Sequence, residues 1–283
     1  DLHERLVKNN ESVRWTPEYV GEKRFGNWLQ DARDWTISRN RFWGSCIPVW
    51  INDDDPEDMI CVGSIKELEE LSGTKVTDLH KHFVDKIVIT RNGKTYHRTP
   101  EVLDCWFESG AMPYAQQHYP FENAENFDEE LFPADFICEG IDQTRGWFYS
   151  LMAIATFIMG KAPYKNVLVN DLILDKEGKK MSKSRGNTVS PFELFDKYGA
   201  DATRWYLLSV SPAWTPTKFD EDGLIDVVSK FFGTLRNVYN FFVLYSNQDN
   251  MEPAALEVPY ESRPELDRWI LSKYNRLVAD VTE

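Results

Sequence analysis

The chain has 283 residues, 42% of them hydrophobic and 28% charged, with a formal net charge of -14. That length and apolar content suit a folded protein with a large core and room for more than one domain, not a disordered tail. The acidic balance excludes a polybasic nucleic-acid coat or membrane binder, while leaving room for a nucleic-acid partner met through a local basic patch.

The chain opens on Asp1-Leu2-His3-Glu4-Arg5, which is neither a signal sequence nor a Met start, and it reads as a fragment. Residues 1–50 mix short polar, helix-like stretches with an aromatic-rich segment over 27–50. Residues 51–100 are strongly acidic and read as a small α+β insertion. Ser64 and Glu67 have capping-box spacing at the head of a helix that runs to about Leu71, with Gly73 past its end. Residues 86–90 and 95–97 read as a hairpin turning on Asn92-Gly93.

From 101 to 221 the pattern is α/β. A strand over 135–138 leads through Glu139-Gly140-Ile141 into a helix that starts near Asp142 and closes before Gly160. A further strand follows over 166–170, then Leu172-Ile173-Leu174. Strand, helix, strand at this spacing is a βαβ unit, which predicts a parallel sheet with ligands at the C-terminal ends of its strands. The apolar run from Trp147 to Met159 is shorter than the ~20 residues of a membrane span and reads as a buried helix, so no membrane partner is expected.

Ser190, Pro191 and Glu193 have the pattern of a capped helix start; Gly199 ends that helix, and 200–209 forms another. From 222 onward the chain is helical, with Val227, Val228, Phe231, Phe232, Leu235 and Val238 at three- and four-residue steps. A Pro-bearing loop over 250–264 precedes a helix over 266–281, and two antiparallel helices would begin a helical domain.

Cys46, Cys61, Cys105 and Cys138 form no C-x-x-C pair, so neither a disulfide framework nor a zinc site is expected, and a reducing, cytoplasmic setting fits. His80 and His82 read as surface residues.

Four stretches hold chemistry-bearing residues. In 175–187, DKEGKKMSKSRGN, five cations fall within ten residues between Gly178 and Gly186 or close beside them. A mobile loop of this kind suits a polyphosphate, where Lys180 and Lys183 would meet charge building on a leaving group; a solvated basic turn is the plainer alternative. The spacing does not make a P-loop, since glycine is required where Lys183 stands. Glu139, Gly140 and Asp142 sit at a strand end, where carboxylates accept hydrogen bonds from ribose hydroxyls, although Asp142 and Gln143 would serve equally as helix caps. Trp106 and Phe107, beside Ser109-Gly110, would line an apolar pocket or fill a core. Arg39 and Arg41, among Trp35, Phe42 and Trp43, would bind phosphates or stack on bases, or form a surface helix pinned by Trp43.

Taken in order, these motifs resemble the class I aminoacyl-tRNA synthetases, and among them the isoleucyl-tRNA synthetases. Lys180-Met181-Ser182-Lys183-Ser184 is the KMSKS motif. EGIDQTRGWF over 139–148, ISRNRFWG over 37–44 with Ile47-Pro48, and VLDCWFESG over 102–110 follow in the isoleucyl order. The resemblance runs from about Trp15 to Tyr245. It implies the second half of a Rossmann-type catalytic domain: a segment over 1–50 with the exit stalk of an editing insertion, the small insertion over 51–100, and the second half with its KMSKS loop over 101–221. A helical anticodon-binding domain would begin at 222–283.

The implied activity is ATP-dependent conversion of L-isoleucine to its adenylate, with Mg2+ accompanying the ATP, followed by transfer to tRNA(Ile); a cytoplasmic monomer is expected. Carried over residue by residue, Lys183 with Lys180 would stabilise the ATP phosphates. Glu139, Gly140 and Asp142 would hold the adenylate ribose, Gln143 would lie near the aminoacyl part, and Trp106 and Trp147 would wall the side-chain pocket. The family's H-x-G-H motif and its paired zinc cysteines do not occur in these 283 residues, so this fragment alone is expected to be inactive. A non-catalytic paralogue that binds RNA is the rival expectation.

Overall fold

The computed structural model describes residues 1–252 and 258–282. The chain divides into two units. One takes in Asp1–Thr188 and Leu208–Phe219; the other takes in Val189–Leu207 and the chain from Asp220 onward.

The first unit is built on a parallel sheet of three strands, in the order Arg14–Thr16, Tyr164–Asn170, Ala134–Gly140. In the last two the register sets Glu139 opposite Val169 and Gly140 opposite Asn170, so both strands end at the same edge. The helix Trp147–Ile158 connects them, which makes the expected βαβ unit. This helix has almost no polar face, and it is buried on several sides, as such composition requires. Leu6, Trp15, Phe25, Phe148, Met152 and Val167 form the core between helices and sheet. Each such side chain contributes roughly 1.5–3 kcal/mol by leaving water. The helix Leu2–Glu11 is tied to the same core helix by Arg5, whose guanidinium donates to the Thr156 carbonyl at 2.6 Å.

The helix begins later than the sequence predicts. Residues Ile141–Arg145 form a 3-10 turn, the backbone breaks at Gly146, and the α-helix starts at Trp147. The cause is local: the Trp147 N–H, an orphan of the first turn, donates to Gln143 Oε1 at 2.9 Å, so the Gln143 side chain takes the place of a preceding helical turn.

The acidic stretch belongs to a four-stranded antiparallel sheet in the order Met59–Cys61, Val49–Asn52, Lys94–Arg98, Ile89–Arg91. The hairpin turns at Asn92 and Gly93, both at positive φ, as an Asn-Gly turn requires. The first two strands were not anticipated, since Asp53-Asp54-Asp55 hides their alternation. Ser64 Oγ caps the helix Ile65–Ser72 by accepting from Glu67 N, but Glu67 reaches back to the Gly63 N–H, one residue beyond a capping box. Trp50, at the centre of this small core, donates to the Ile87 carbonyl at 2.8 Å.

In the second unit the helix Pro191–Tyr198 begins at Ser190, whose side chain makes no capping hydrogen bond, contrary to the predicted capping box. Pro191 at the first turn presets the helical φ and carries no N–H, so the helix starts there without that cap. The helix Glu221–Asp226 passes through a π turn, Val227–Phe232, into Gly233–Gln248, and the last helix is Glu265–Thr282. Both long helices form where periodicity places them, with Leu235, Val238, Phe242, Ile270, Tyr274 and Leu277 exposed. Of the predicted loop over 250–264, residues 253–257 lie outside the described residues.

Candidate active site

The lysine-rich loop leaves the sheet edge at which Gly140 and Asn170 stand side by side. Its approach, Ile173–Leu174, pairs in parallel with Thr217–Lys218. Beyond that the loop is ordered by its own side chains. Asp175 is 9% exposed and accepts the Lys179 N–H at 2.7 Å through one oxygen. Its other oxygen accepts from Asn187 Nδ2 at 2.7 Å. The Asn187 amide also donates to the Lys180 carbonyl at 3.3 Å, while Asn187 Oδ1 accepts from Ser182 N at 2.9 Å. These bonds, that from Asn187 first and that from Lys179 N–H next, hold the Asp175 carboxyl below the ordinary carboxylate range.

Lys183 opens a 3-10 turn, Lys183–Arg185, closed by Gly186 at φ 66, a left-handed conformation that glycine adopts without a steric cost. Lys179, Lys180, Lys183 and Arg185 are exposed, and no hydrogen bond or ion pair holds their side-chain charges among the described residues.

Glu139 lies exposed at the end of its strand, next to Gly140 and the 3-10 turn. Asp142 is exposed and accepts from Gln143 Nε2 at 3.0 Å. Gln143 therefore has both ends of its amide engaged, one by Asp142 and one by Trp147 N–H. Beside it, a Cβ placed on Gly146 would come within 2.7 Å of Gln143 Oε1 and 3.0 Å of the Trp106 ring. Trp106 and Gln143 thus meet over Gly146, at a position with no room for a side chain.

Trp106 is 42% exposed and lines a cavity of about 280 Å³ with Arg39, Arg41, Trp43, Asp104 and Glu108. Trp147 is not among the walls of that cavity. It packs, half-buried, against the main core and donates to the Ser109 carbonyl at 3.2 Å. The structure therefore brings Trp106, Gln143 and Gly146 together, with Trp147 behind them.

Trp106 is carried on the helix Cys105–Gly110, whose N-cap is Asp104. Asp104 accepts from the Trp106 amide at 2.9 Å and from Trp35 Nε1 at 3.3 Å, and it forms an ion pair with Arg39. Burial pushes the Asp104 carboxyl upward, but the Trp106 amide, Trp35 and Arg39 outweigh it and hold it below the usual range. Arg39 also donates to the Ser38 carbonyl at 2.8 Å. It is a structural cation and not the free phosphate ligand that the sequence offered. Nor is its segment a helix pinned by Trp43: Ser38–Arg39 is a strand paired with Val102–Leu103, and Trp43 is 66% exposed. The rings of Phe42, Trp43, His80, His82 and Phe83 pack on one another instead.

The family model for class I tRNA synthetases (I, L, M and V) matches residues 1–220. The chain belongs to the class I tRNA synthetases. It is 50% identical to the isoleucine–tRNA ligase of Cytophaga hutchinsonii over 99% of the chain and 26% of that relative. It is 49% identical to that of Chlamydia trachomatis, over 99% and 26%. The cytoplasmic isoleucine–tRNA ligase of Mus musculus is 50% identical over 95% of the chain and 22% of its own length. The chain thus spans about a quarter of the length of the curated relatives it matches.

Among solved structures, a LeuRS–tRNA–LeuAMS complex from Agrobacterium radiobacter K84 aligns with a TM-score of 0.56 at 22% identity, covering 74% of this chain and 28% of that one. Methionyl-tRNA synthetase of Mycobacterium tuberculosis with methionyl-adenylate aligns at 0.54 and 18%, covering 80% and 35%. These likenesses show the class I catalytic fold.

In this class I synthetase, three functional placements escape a reading of the sequence. Asp175 and Asn187 bracket the KMSKS loop, and their only signal is that Asp and Asn favour side-chain-to-backbone turns, here three residues before Gly178 and next to Gly186. Asp104 carries a clearer signal, an acidic residue just before a short aromatic helix.

Proposed function

We propose that this chain supplies the phosphate-binding, ribose-binding and side-chain-binding residues of an isoleucine–tRNA ligase, which activates L-isoleucine with ATP and transfers it to tRNA(Ile). The observation that carries this reading is the KMSKS loop. Lys179, Lys180, Lys183 and Arg185 have no side-chain partner among the described residues, and the loop leaves the same strand edge as Glu139 and Gly140. The 50% identity to an isoleucine–tRNA ligase supports isoleucine as the amino acid.

In this reading the isoleucine carboxylate attacks the α-phosphorus of ATP, the bond to the β-phosphate oxygen breaks, and pyrophosphate leaves. Negative charge builds on that leaving group, and Lys183 with Lys180 would meet it. Fixed or poised cations aimed at developing charge stabilise a transition state more than the ground state. Mg2+ enters with the ATP as part of the substrate; among the described residues no group of three or more His, Cys, Asp or Glu is placed to hold a metal of its own.

Glu139 and Asp142 would accept from the ribose hydroxyls, and the small volume at Gly140 admits the adenosine close to the backbone. Trp106 would face the isoleucine side chain over Gly146, with Trp147 supporting it and Gln143 holding the turn between them. Such a pocket separates isoleucine from valine by one methylene, a discrimination of roughly 1–3 kcal/mol for which this same amino-acid pair is the standard example. No helix among the described residues is long and apolar enough to cross a membrane. We place the enzyme in the cytoplasm, acting as a monomer.

The test is a thermal-shift panel of the twenty amino acids with ATP on the full-length protein. Isoleucine should raise the melting temperature most, with valine a weaker second. An equal response to all, or none to isoleucine, would contradict the reading.

A further inference from the structure

We propose that Asn187 is a positioning residue for adenylate formation, a clasp that sets the KMSKS backbone so that Lys180 and Lys183 reach the departing pyrophosphate. This rests on the function proposed above. The loop has no apolar anchor of its own: from Lys176 to Arg185 every residue is exposed or half-exposed. Its shape depends on polar contacts: backbone bonds tie Asp175 to Lys179 and Ser182 to Arg185, and the side-chain bonds between these two turns converge on one amide.

Asn187 donates to Asp175 at the loop's entrance (2.7 Å) and to the Lys180 carbonyl (3.3 Å), and it accepts from Ser182 N (2.9 Å). It thus fixes the peptide on both sides of Met181 and the residue immediately before Lys183. Asp175 is the buried post to which the clasp is fastened, and its second oxygen secures Lys179 N at 2.7 Å. With the backbone of 179–182 held at three points, the exposed Lys180 and Lys183 project from a set frame. Asn suits this position because one side chain must donate to a carboxylate and accept from an amide at once. Asp would set two carboxylates against each other; Ala would leave the Ser182 N–H and one Asp175 oxygen without their Asn187 partner.

The geometry makes a reciprocal demand. The Asp175/Asn187 pair needs one amide and one carboxylate, and exchanging them retains the donor–acceptor bond between the two positions and an acceptor for each backbone N–H. The long bond to the Lys180 carbonyl is lost, and a carboxylate oxygen faces that carbonyl in its place, so recovery should be large but incomplete. The experiment therefore compares wild type, Asn187→Ala, Asn187→Asp and the double exchange Asp175→Asn with Asn187→Asp in the full-length protein. Isoleucine-dependent ATP–pyrophosphate exchange and trypsin cleavage within 176–187 are measured in parallel.

Asn187→Ala should lower kcat by up to about 10²-fold, the scale of a misplacement of about 1 Å remote from the reacting atoms. The KM for isoleucine should not change, since the side-chain pocket is elsewhere. Asn187→Asp should be at least as impaired, and both variants should be cut faster at Lys179, Lys180, Lys183 or Arg185. The double exchange should recover most of the kcat and the resistance to trypsin. Full kcat in Asn187→Ala, or a double exchange no better than Asn187→Asp alone, would overturn the clasp. If the wild type shows no isoleucine-dependent exchange, the proposed function fails instead. The trypsin pattern still decides the clasp: equal cleavage of all four proteins rejects it.

Discussion

Asp104 joins three jobs in one side chain: it caps the helix that carries Trp106, accepts from Trp35 and neutralises Arg39. Loss of an N-cap alone costs about 0.5–2 kcal/mol, and the lost bond from Trp35 adds to that, while the half-exposed Arg39 can return to water at small cost. Asp104→Ala should therefore destabilise the protein by about 2 kcal/mol in denaturant unfolding, with Asp104→Asn milder because it keeps the cap acceptor. The sign of the pH effect follows from the direction of the shift. The carboxyl binds its proton less readily folded than unfolded, so its contribution is present above the unfolded value, near pH 4, and is lost as pH falls through the folded one. The stability gap between wild type and Asp104→Asn should be constant from pH 7 to about pH 5 and narrow below about pH 4. A gap that widens on acidification would contradict this assignment.

At the scale of elements, the helices Cys105–Gly110 and Trp147–Ile158 pack with almost no space at their crossing. A Cβ on Gly110 would lie 2.7 Å from the Ser150 carbonyl oxygen and 2.9 Å from Ile154 Cδ1. The first neighbour is backbone and cannot rotate away. Gly110→Ala should thus push the helices apart, at a cost of roughly 1–3 kcal/mol typical of overpacking. It should also weaken isoleucine binding by moving Trp106 relative to Gly146; unchanged stability and KM would show that the crossing yields freely. The same region marks how far periodicity reaches. The βαβ unit was legible because its strands and its unbroken apolar helix carry strong patterns, although Ala134–Gly140, which reads as a buried strand, has no fully buried residue. The break at Gly146 was not, because it depends on the Gln143 side chain standing in for a helical turn. The predicted capping box at Ser190 did not form for a related reason: the pattern records which residues are able to cap, not where the Ser190 side chain is turned.

At the scale of the molecule, charge is divided unevenly. A chain with a net charge of -14 keeps Lys180 and Lys183 of one loop free of partners among the described residues, while Arg39 and Arg98 are consumed by Asp104 and Asp85. The sequence made the loop conspicuous, but it could not distinguish a cation held for structure from one kept free for a ligand. That distinction depends on which carboxylates the fold brings near: Arg39 finds Asp104 across 65 residues, whereas Lys183 finds none among the described residues. The central claim is that these free cations stabilise the departing pyrophosphate during isoleucine activation. It is tested most directly by isoleucine-dependent ATP–pyrophosphate exchange in the full-length protein, wild type against Lys183→Ala. Exchange should be present in the wild type and fall about 10²–10³-fold in kcat in the variant, with the KM for isoleucine nearly constant. Undiminished exchange in Lys183→Ala would contradict the account.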